Sequence, residues 1–416
     1  MPQPSAIAPR ERGTGVTEEK KIKKRVLFIG LAHRAQDTRL CRFLADSLCK
    51  RYPEMECLYL GMDSNDPAKN SNDRMRVIAM PSGMKATKRW FTPQNIETLA
   101  RYISSLQVDL VQISDVRELV LGYLLKKTTS IPVIFDSHED YFNQKFEYSG
   151  KSPIGLAQGI FARAEEILFI RYMDAVFCTD EFLNGLYRQP IFASKSVAMV
   201  RNLPPRNMIR NEPVVHDRDT LKLVYIGSVN AMRGVVNTAE YCALFNAESK
   251  RTGEPLMVSF HVFSKSSPIV DRLVGEGKIV HHGFLHGSAL EEAVLQFDIG
   301  VSLLLPSKKF HRNIPIKNFE YMALGLPVLT GNFGPMKKYV GEAGAGVLID
   351  PTDYLQFRDA ILRFKDRDFR AACGGRGILY ARNRLDRDAE VLPYLDTVGR
   401  ILGLNGKSAD ATRAVK

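Results

Sequence analysis

The chemistry in this sequence is concentrated in four stretches. The longest is Asn313-Ile-Pro-Ile-Lys-Asn-Phe-Glu-Tyr-Met-Ala-Leu-Gly-Leu-Pro-Val328, which reads as a proline-initiated helix, a glycine stop and a buried strand. Lys317 and Glu320 stand at i and i+3, so they share one helix face. A lysine in the first helical turn can reach a phosphate, and a glutamate one turn on can accept two hydrogen bonds from a vicinal diol such as a ribose. Taken alone, the pair reads better as a surface ion pair, which would be worth ~0–1 kcal/mol.

The second stretch is Gly227-Ser-Val-Asn-Ala-Met-Arg-Gly234, directly after the apolar run Lys222–Ile226. Gly227 and Ser228 let backbone N–H groups approach an anion, and Arg233 adds a charge at the start of the following helix. A helix N-terminus favours an anion by only ~0.3–1 kcal/mol. A charge-assisted arginine contact adds ~1.5–3 kcal/mol. Together they form a candidate diphosphate cradle. The third stretch, Asp136-Ser-His-Glu-Asp-Tyr141, sets His138 among three carboxylates at a strand end, where it can hydrogen-bond a sugar hydroxyl or a developing charge. In the fourth, Gly30 to Arg39, the residues Arg34, Asp37 and Arg39 form a candidate polar rim for an acceptor, or Asp37 simply caps a helix.

These residues need strands to place them. Strand candidates are Arg25–Leu31, Met55–Leu60, Met75–Met80, Val108–Ile113, Pro132–Asp136, Asp174–Cys178 and Ser196–Val200, then Lys222–Ile226, Met257–Phe263, Lys278–His282, Ile299–Leu304, Pro327–Thr330 and Gly346–Ile349. Helix-period segments alternate with them, among them Thr38–Lys50, where Leu40, Phe43, Leu44 and Leu48 recur at helical spacing. This alternation predicts an α/β protein of two Rossmann-like, doubly wound domains facing across a cleft, with ligands beyond the carboxyl ends of the strands. The expected boundaries are a flexible leader 1–22, a first domain 23–205, a charged linker 206–220 that follows Pro204 and Pro205, a second domain 221–390, a final helix 391–403 and a flexible tail 404–416.

Composition narrows the class. The chain has 416 residues, 45% hydrophobic and 25% charged, which excludes wholesale disorder. Lys+Arg number 58 against 46 Asp+Glu, a balance of +12 that fits anionic partners. The turn after the first strand has one glycine rather than G-x-G-x-x-G, which counts against a dinucleotide oxidoreductase. Asp-x-Asp pairs at 217/219, 366/368 and 386/388 lie in the linker and late helices, away from strand ends, so a metal-dependent transferase is not favoured. The six cysteines form no C-x-x-C pair and are expected to be free thiols in a reducing compartment. No apolar run approaches the ~20 residues of a membrane span, and residues 1–22 lack a signal-peptide core. Nucleic-acid motifs are absent.

Taken together, Tyr225-Ile-Gly-Ser with Arg233-Gly234, His282-Gly-Phe-Leu, Phe297-Asp-Ile-Gly-Val-Ser-Leu, Pro315-Ile-Lys-Asn-Phe-Glu-Tyr-Met-Ala-Leu-Gly-Leu-Pro-Val, Gly346-Val-Leu-Ile-Asp, Asp136-Ser-His-Glu and Asp174-Ala-Val-Phe-Cys-Thr resemble the GT-B-fold, retaining glycosyltransferases of the GT4 type (glycosyl transferases group 1). The resemblance runs from about Lys24 to Leu402 and is densest from Leu223 to Asp350. It implies a nucleotide-diphosphate sugar as donor. Gly227, Ser228, Arg233 and Lys317 would hold the diphosphate, with Ile316 beside them. Glu320 would hold the ribose, Phe284 and Leu285 would lie near the base, and His138 would approach the donor sugar. The final helix would brace the first domain. One departure is that Arg312 stands where many relatives carry the first glutamate of a Glu-x7-Glu pair.

The expected reaction is transfer of a sugar to a hydroxyl acceptor with retained configuration and without a metal or other cofactor, in surface polysaccharide or glycolipid assembly. The alternative, prompted by Arg312, is a non-catalytic nucleotide-sugar-binding subunit of a glycosyltransferase complex. Lys20-Lys-Ile-Lys-Lys-Arg25 and Lys85-Ala-Thr-Lys-Arg-Trp-Phe91 are candidate contacts with an anionic membrane surface. The expected location is cytoplasmic, peripheral on the inner face of the membrane, with a glycan or lipid-linked acceptor and no nucleic acid as partner.

Overall fold

The computed structural model describes residues 24–30, 33–35, 37–85, 92–313 and 315–404. The leader 1–22, Trp90 with its basic neighbours and the tail from 405 lie outside them. The chain divides into two units, one formed by the residues up to Arg201 together with those from Glu390, the other by Asn202–Ala389.

The first unit is a parallel sheet of seven strands: β1 (Arg25–Gly30), β2 (Glu56–Gly61), β3 (Arg76–Val77), β4 (Leu110–Ile113), β5 (Val133–Ser137), β6 (Ala175–Cys178) and β7 (Val197–Met199). Their order is β3-β2-β1-β4-β5-β6-β7. The second unit has six: β8 (Thr220–Ile226), β9 (Met257–Phe263), β10 (Val280–His281), β11 (Ile299–Ser302), β12 (Val328–Gly331) and β13 (Gly346–Ile349), in the order β10-β9-β8-β11-β12-β13. Both sheets therefore reverse direction beside their first strand, between β1 and β4 and between β8 and β11. A ligand crevice opens at that position in a doubly wound sheet.

Side chains alternate across each strand because the period is two. In the first unit Leu27, Leu58, Val111 and Phe135 face one layer of helices, and Phe28, Tyr59, Leu110 and Phe177 face the other. The second unit repeats the arrangement, with Leu223, Phe260 and Val301 on one side and Val224, Phe263 and Val328 on the other. The two sheets also share a registering device. Asp109, just before β4, accepts the Arg25 N–H of β1 at 2.8 Å, and Asp298, just before β11, accepts the Lys222 N–H of β8 at 2.8 Å. Each carboxylate satisfies a backbone donor that lies just ahead of the neighbouring strand's first ladder pair.

Three sequence expectations are corrected. Residues 206–220 are not a linker. Leu203, Met208 and Val214 are buried in the second core, and the Arg210 and Val214 N–H groups donate to Ala323 and Gly325 at 2.9 and 3.0 Å. Pro213 there belongs to a packed segment rather than a hinge. Thr38–Lys50 is not one uniform helix, because a wide i→i+5 turn at Leu40–Ala45 precedes an α-helix at Asp46–Arg51. The third-strand candidate shrinks to Arg76–Val77.

The helix Leu392–Ile401 belongs to the first unit. Tyr394, Leu395 and Val398 lie in the same core as Val26, Phe28 and Phe177, and the Tyr394 ring meets that of Phe177 edge-on at 5.0 Å. The Tyr394 hydroxyl donates to Gln112 Oε1 at 2.6 Å. Tyr394→Ala is expected to lower unfolding free energy by about 3–5 kcal/mol, and Tyr394→Phe by only about 1 kcal/mol. Urea unfolding of both variants measures the difference.

Candidate active site

In the second unit the site residues gather at the sheet's reversal point. β8 ends in Gly227, whose N–H donates to Phe263 O at the end of β9 (2.9 Å). Ser264 N–H donates in turn to Gly283 O beyond β10 (2.9 Å). The carboxyl ends of β8, β9 and β10 thus lie side by side, carrying Gly227, Ser264 and Phe284. Gly227 has φ +116°, and a Cβ added there would lie 3.6 Å from Lys317 Nζ, screening it from an anion.

The helix Ile316–Ala323 brings Lys317 to this point. Its anchor is Tyr321. The hydroxyl accepts the Ile226 N–H at 3.1 Å and donates to Val224 O at 3.2 Å, both on β8. The ring lies where a side chain at Gly300 of β11 would stand, so that strand needs a glycine there. Half-buried Ile316 opens the helix, and Gly325, at φ +74°, ends it.

Lys317 is 6% exposed, and its ammonium makes no hydrogen bond. It sits 3.5 Å from the centroid of the Tyr225 ring, so the π face is its nearest electrostatic partner. Tyr225 is itself fixed by a 2.7 Å hydrogen bond to Ser228 O. Burial, then the neighbouring Arg233 charge, push the Lys317 pKa well below that of a free lysine, with Glu320 opposing. Arg233 follows a short turn capped by Asn230, whose Oδ1 accepts the Met232 N–H at 3.0 Å. Its guanidinium lies 5.4 Å from the Phe310 ring, and its buried Nε has no acceptor. Two cations therefore share one location with donors unused. A buried donor without an acceptor is costly, so the arrangement fits an anionic ligand.

Half-buried Glu320 lies one turn from Lys317. Burial raises its pKa to about 7, with Lys317 opposing. No ion pair within 4.0 Å joins them among the described residues, so they are not a surface salt bridge. Ser228 is exposed, and Leu285 is half-buried against the second core. Phe284 is exposed beside His286 (ring centroids 6.0 Å apart), with Lys265 Nζ 5.4 Å from its ring.

In the first unit Asp136, at 0% exposure, is the hub. Arg39 grips it with Nη2–Oδ1 at 2.6 Å and Nε–Oδ2 at 2.9 Å, and donates from Nη1 to Val200 O at 2.7 Å. His138 Nε2 lies 2.8 Å from Asp136 Oδ2. Burial would raise the Asp136 pKa, but Arg39 and His138 hold it far below the usual carboxylate range. Arg39 is thus not part of an acceptor rim. It is 4% exposed, and its charge is spent on orienting Asp136. Asp37 is a cap, accepting the Arg39 and Leu40 N–H groups at 2.8 and 3.2 Å. It also faces His33 at 3.7 Å, and despite burial that contact lowers its pKa to about 2. Of the three rim candidates, only Arg34 is exposed, 3.8 Å from Asp63.

Sequence reading missed two supports: Tyr225 as the ring beside Lys317 and Phe310 as the ring beside Arg233. His33, in the crowded polar turn after the first strand, meets the His138 ring edge-on at 5.0 Å. Tyr225 sits two residues before Gly227, a position from which its ring can lie beside a ligand turn. Nothing in the sequence marks Phe310. The groups of His, Cys, Asp and Glu among the described residues include none arranged to hold a metal ion.

Residues 220–366, within the second unit, match the family model for glycosyl transferases group 1. No curated protein sequence matches the chain. Among solved structures, sucrose-phosphate synthase from Thermosynechococcus elongatus has a TM-score of 0.70 at 13% identity, covering 92% of this chain and 100% of its own. HepE from Anabaena, crystallised with UDP and glucose, has a TM-score of 0.65 at 13% identity, covering 91% and 100%. An α,α-trehalose-phosphate synthase (UDP-forming) from Burkholderia vietnamiensis has a TM-score of 0.61 at 13% identity, covering 92% and 99%. The fold is that of the GT-B glycosyltransferases.

Glu320 holds its proton more tightly folded than unfolded. Its contribution to stability is therefore full below the unfolded pKa of about 4.3 and is lost as pH rises through about 7. Glu320→Gln should match wild type near pH 4 and exceed it by up to about 3 kcal/mol near pH 8. Denaturant unfolding across that range reads the crossover, and a pH-independent difference would contradict the assignment.

Proposed function

We propose that this glycosyltransferase moves a sugar from a nucleoside diphosphate donor to a hydroxyl acceptor, with retention of configuration and without a metal. The observation that carries the reading is the pair of cations, Lys317 and Arg233, with unused donors where β8 ends. HepE, similar in fold, was crystallised with UDP and glucose, which supports a nucleotide as ligand.

In this reading the diphosphate lies against Gly227 and Ser228, with Arg233 and Lys317 on its oxygens and the first turn of the helix from Ile316 adding backbone N–H groups. Glu320 accepts hydrogen bonds from the ribose diol, and Phe284 and Leu285 flank the base. As the bond from sugar to phosphate oxygen breaks, negative charge grows on the leaving phosphate. The two cations stabilise it more than the ground state, and that difference lowers the barrier. The acceptor hydroxyl attacks from the face the phosphate leaves, and its proton passes to that phosphate, so no protein nucleophile is consumed. In the first unit the reaction is assigned to His138, whose ring is held by Asp136 for a sugar hydroxyl or the developing positive charge. We place the acceptor among glycans or lipid-linked glycans of surface polysaccharide or glycolipid assembly.

Arg233→Ala and Lys317→Ala should each lower kcat/KM by about 10²-fold or more. Thermal midpoints with UDP, GDP and ADP should rise for one of them in wild type, equally with and without EDTA, and the rise should be lost in both variants. Near-normal rates in both would overturn the reading. A midpoint shift with no transfer to any acceptor would identify a nucleotide-sugar-binding subunit instead. A shift abolished by EDTA would require a metal.

A further inference from the structure

The helix Pro153–Phe169 of the first unit has its polarity reversed. Its charged groups point inward. Glu166 is fully buried, ion-paired with Arg163 at 2.9 Å, and accepts the Tyr187 hydroxyl at 2.8 Å. Arg163 also reaches buried Asp140 at 3.0 Å, and Glu165 is only 6% exposed. The residues packed inward beside them are small: Gly155, Gly159 and Ala162. A Cβ at Gly159 would meet the Phe142 backbone O, so the helix lies close on its neighbour Tyr141–Tyr148.

Its large apolar side chains face outward. Ile154 is 72% exposed, Phe161 64%, Ile160 56% and Leu168 55%, with Leu156 on the same side. At 100° per residue these positions span about half the helix circumference. Single exposed apolar residues are ordinary, but a continuous stripe on one helix marks a contact surface.

The surroundings identify the partner. Basic residues stand at both ends of the stripe and no exposed carboxylate interrupts it. Lys151 is exposed just before the helix and Arg171 just after it, while Lys145 and Arg117 share a surface groove with Phe161. At the far end Lys127 lies 5.8 and 5.7 Å from the rings of Tyr123 and Tyr172, and Tyr123 contacts Phe169 at 5.3 Å. An apolar stripe framed by lysine, arginine and half-buried tyrosines matches the boundary of an anionic bilayer, where side chains enter the acyl region and bases meet headgroups. By contrast, the basic leader suggested by the sequence is partly spent: Lys24 pairs with Asp109 at 3.1 Å and Arg25 with Glu56 at 2.9 Å. No helix among the described residues is long and apolar enough to cross a membrane, so the contact is one of lying on the surface.

We propose that the outward face of Pro153–Phe169, through Ile154, Leu156, Ile160, Phe161 and Leu168, docks the first unit onto an anionic lipid surface. The inference is independent of the donor site, since docking needs no nucleotide.

Flotation with vesicles of phosphatidylglycerol and phosphatidylcholine tests it directly. Wild type should float with these vesicles at low salt, at least tenfold less with pure phosphatidylcholine, and progressively less as salt is raised. Ile160→Glu with Phe161→Glu should lower the floating fraction at least tenfold, while its circular dichroism and thermal midpoint stay those of wild type, because both positions are exposed. Lys151→Glu with Arg171→Glu should weaken flotation chiefly at low salt. Wild type that stays with the pellet, or an Ile160/Phe161 variant that floats equally, would overturn the proposal. So would a wild-type dimer in light scattering that the variant converts to monomer without any vesicle binding, which would assign the face to a second copy of the chain.

Discussion

The second unit is organised around a lysine ammonium that is buried without an acceptor. Lys317 has lost its water and gained an aromatic face in return, with the Arg233 guanidinium nearby. Neither exchange restores the solvation of a cation, so the free protein carries a cost. Much of the surrounding structure maintains that state. Tyr321 ties the helix to β8, Gly300 makes room for its ring, Gly227 keeps a side chain away from the ammonium, and Phe310 flanks the arginine. A salt bridge to Glu320 would have relieved the cost, yet the carboxylate is held apart. A site kept short of negative charge has high affinity for a ligand that brings it.

The first unit shows the opposite electrostatic solution on the same topology. Its buried carboxylate, Asp136, is fully engaged by Arg39 and His138, with Gln112 Nε2 at 3.4 Å and Tyr394 behind that glutamine. The chain returns from residue 389 to supply Tyr394, so the last helix contributes to the polar network as well as to the core. The charges are internally matched, which fixes the His138 ring without leaving an unmet demand for an anion. One doubly wound sheet thus orients a histidine, and the other concentrates unneutralised cations.

Much of this was legible in the sequence because it rests on local chemistry. Short continuous apolar runs gave the strands, since parallel strands are buried on both faces. Pro315, Lys317, Glu320 and Gly325 gave a helix with its start, its functional face and its stop. The misreadings came from tertiary context. Arg39 looked like a rim residue because a charge is exposed by default; only the fold brings Asp136, 97 positions away, to receive it. Residues 206–220 looked like a linker because charges outnumber apolar residues there and two prolines precede them, yet Met208 and Val214 suffice to pack the segment onto the second core. The outward apolar face of Pro153–Phe169 passed unnoticed because periodicity shows that a helix is amphipathic, not which face is buried.

Lys317 is held without a hydrogen-bond acceptor until a diphosphate arrives. Calorimetric titration with UDP, GDP and ADP measures this directly: one of them should bind wild type, and Lys317→Met should lower its affinity about tenfold or more. Binding to Lys317→Met as tight as to wild type, or no binding of any of the three to wild type, would contradict it.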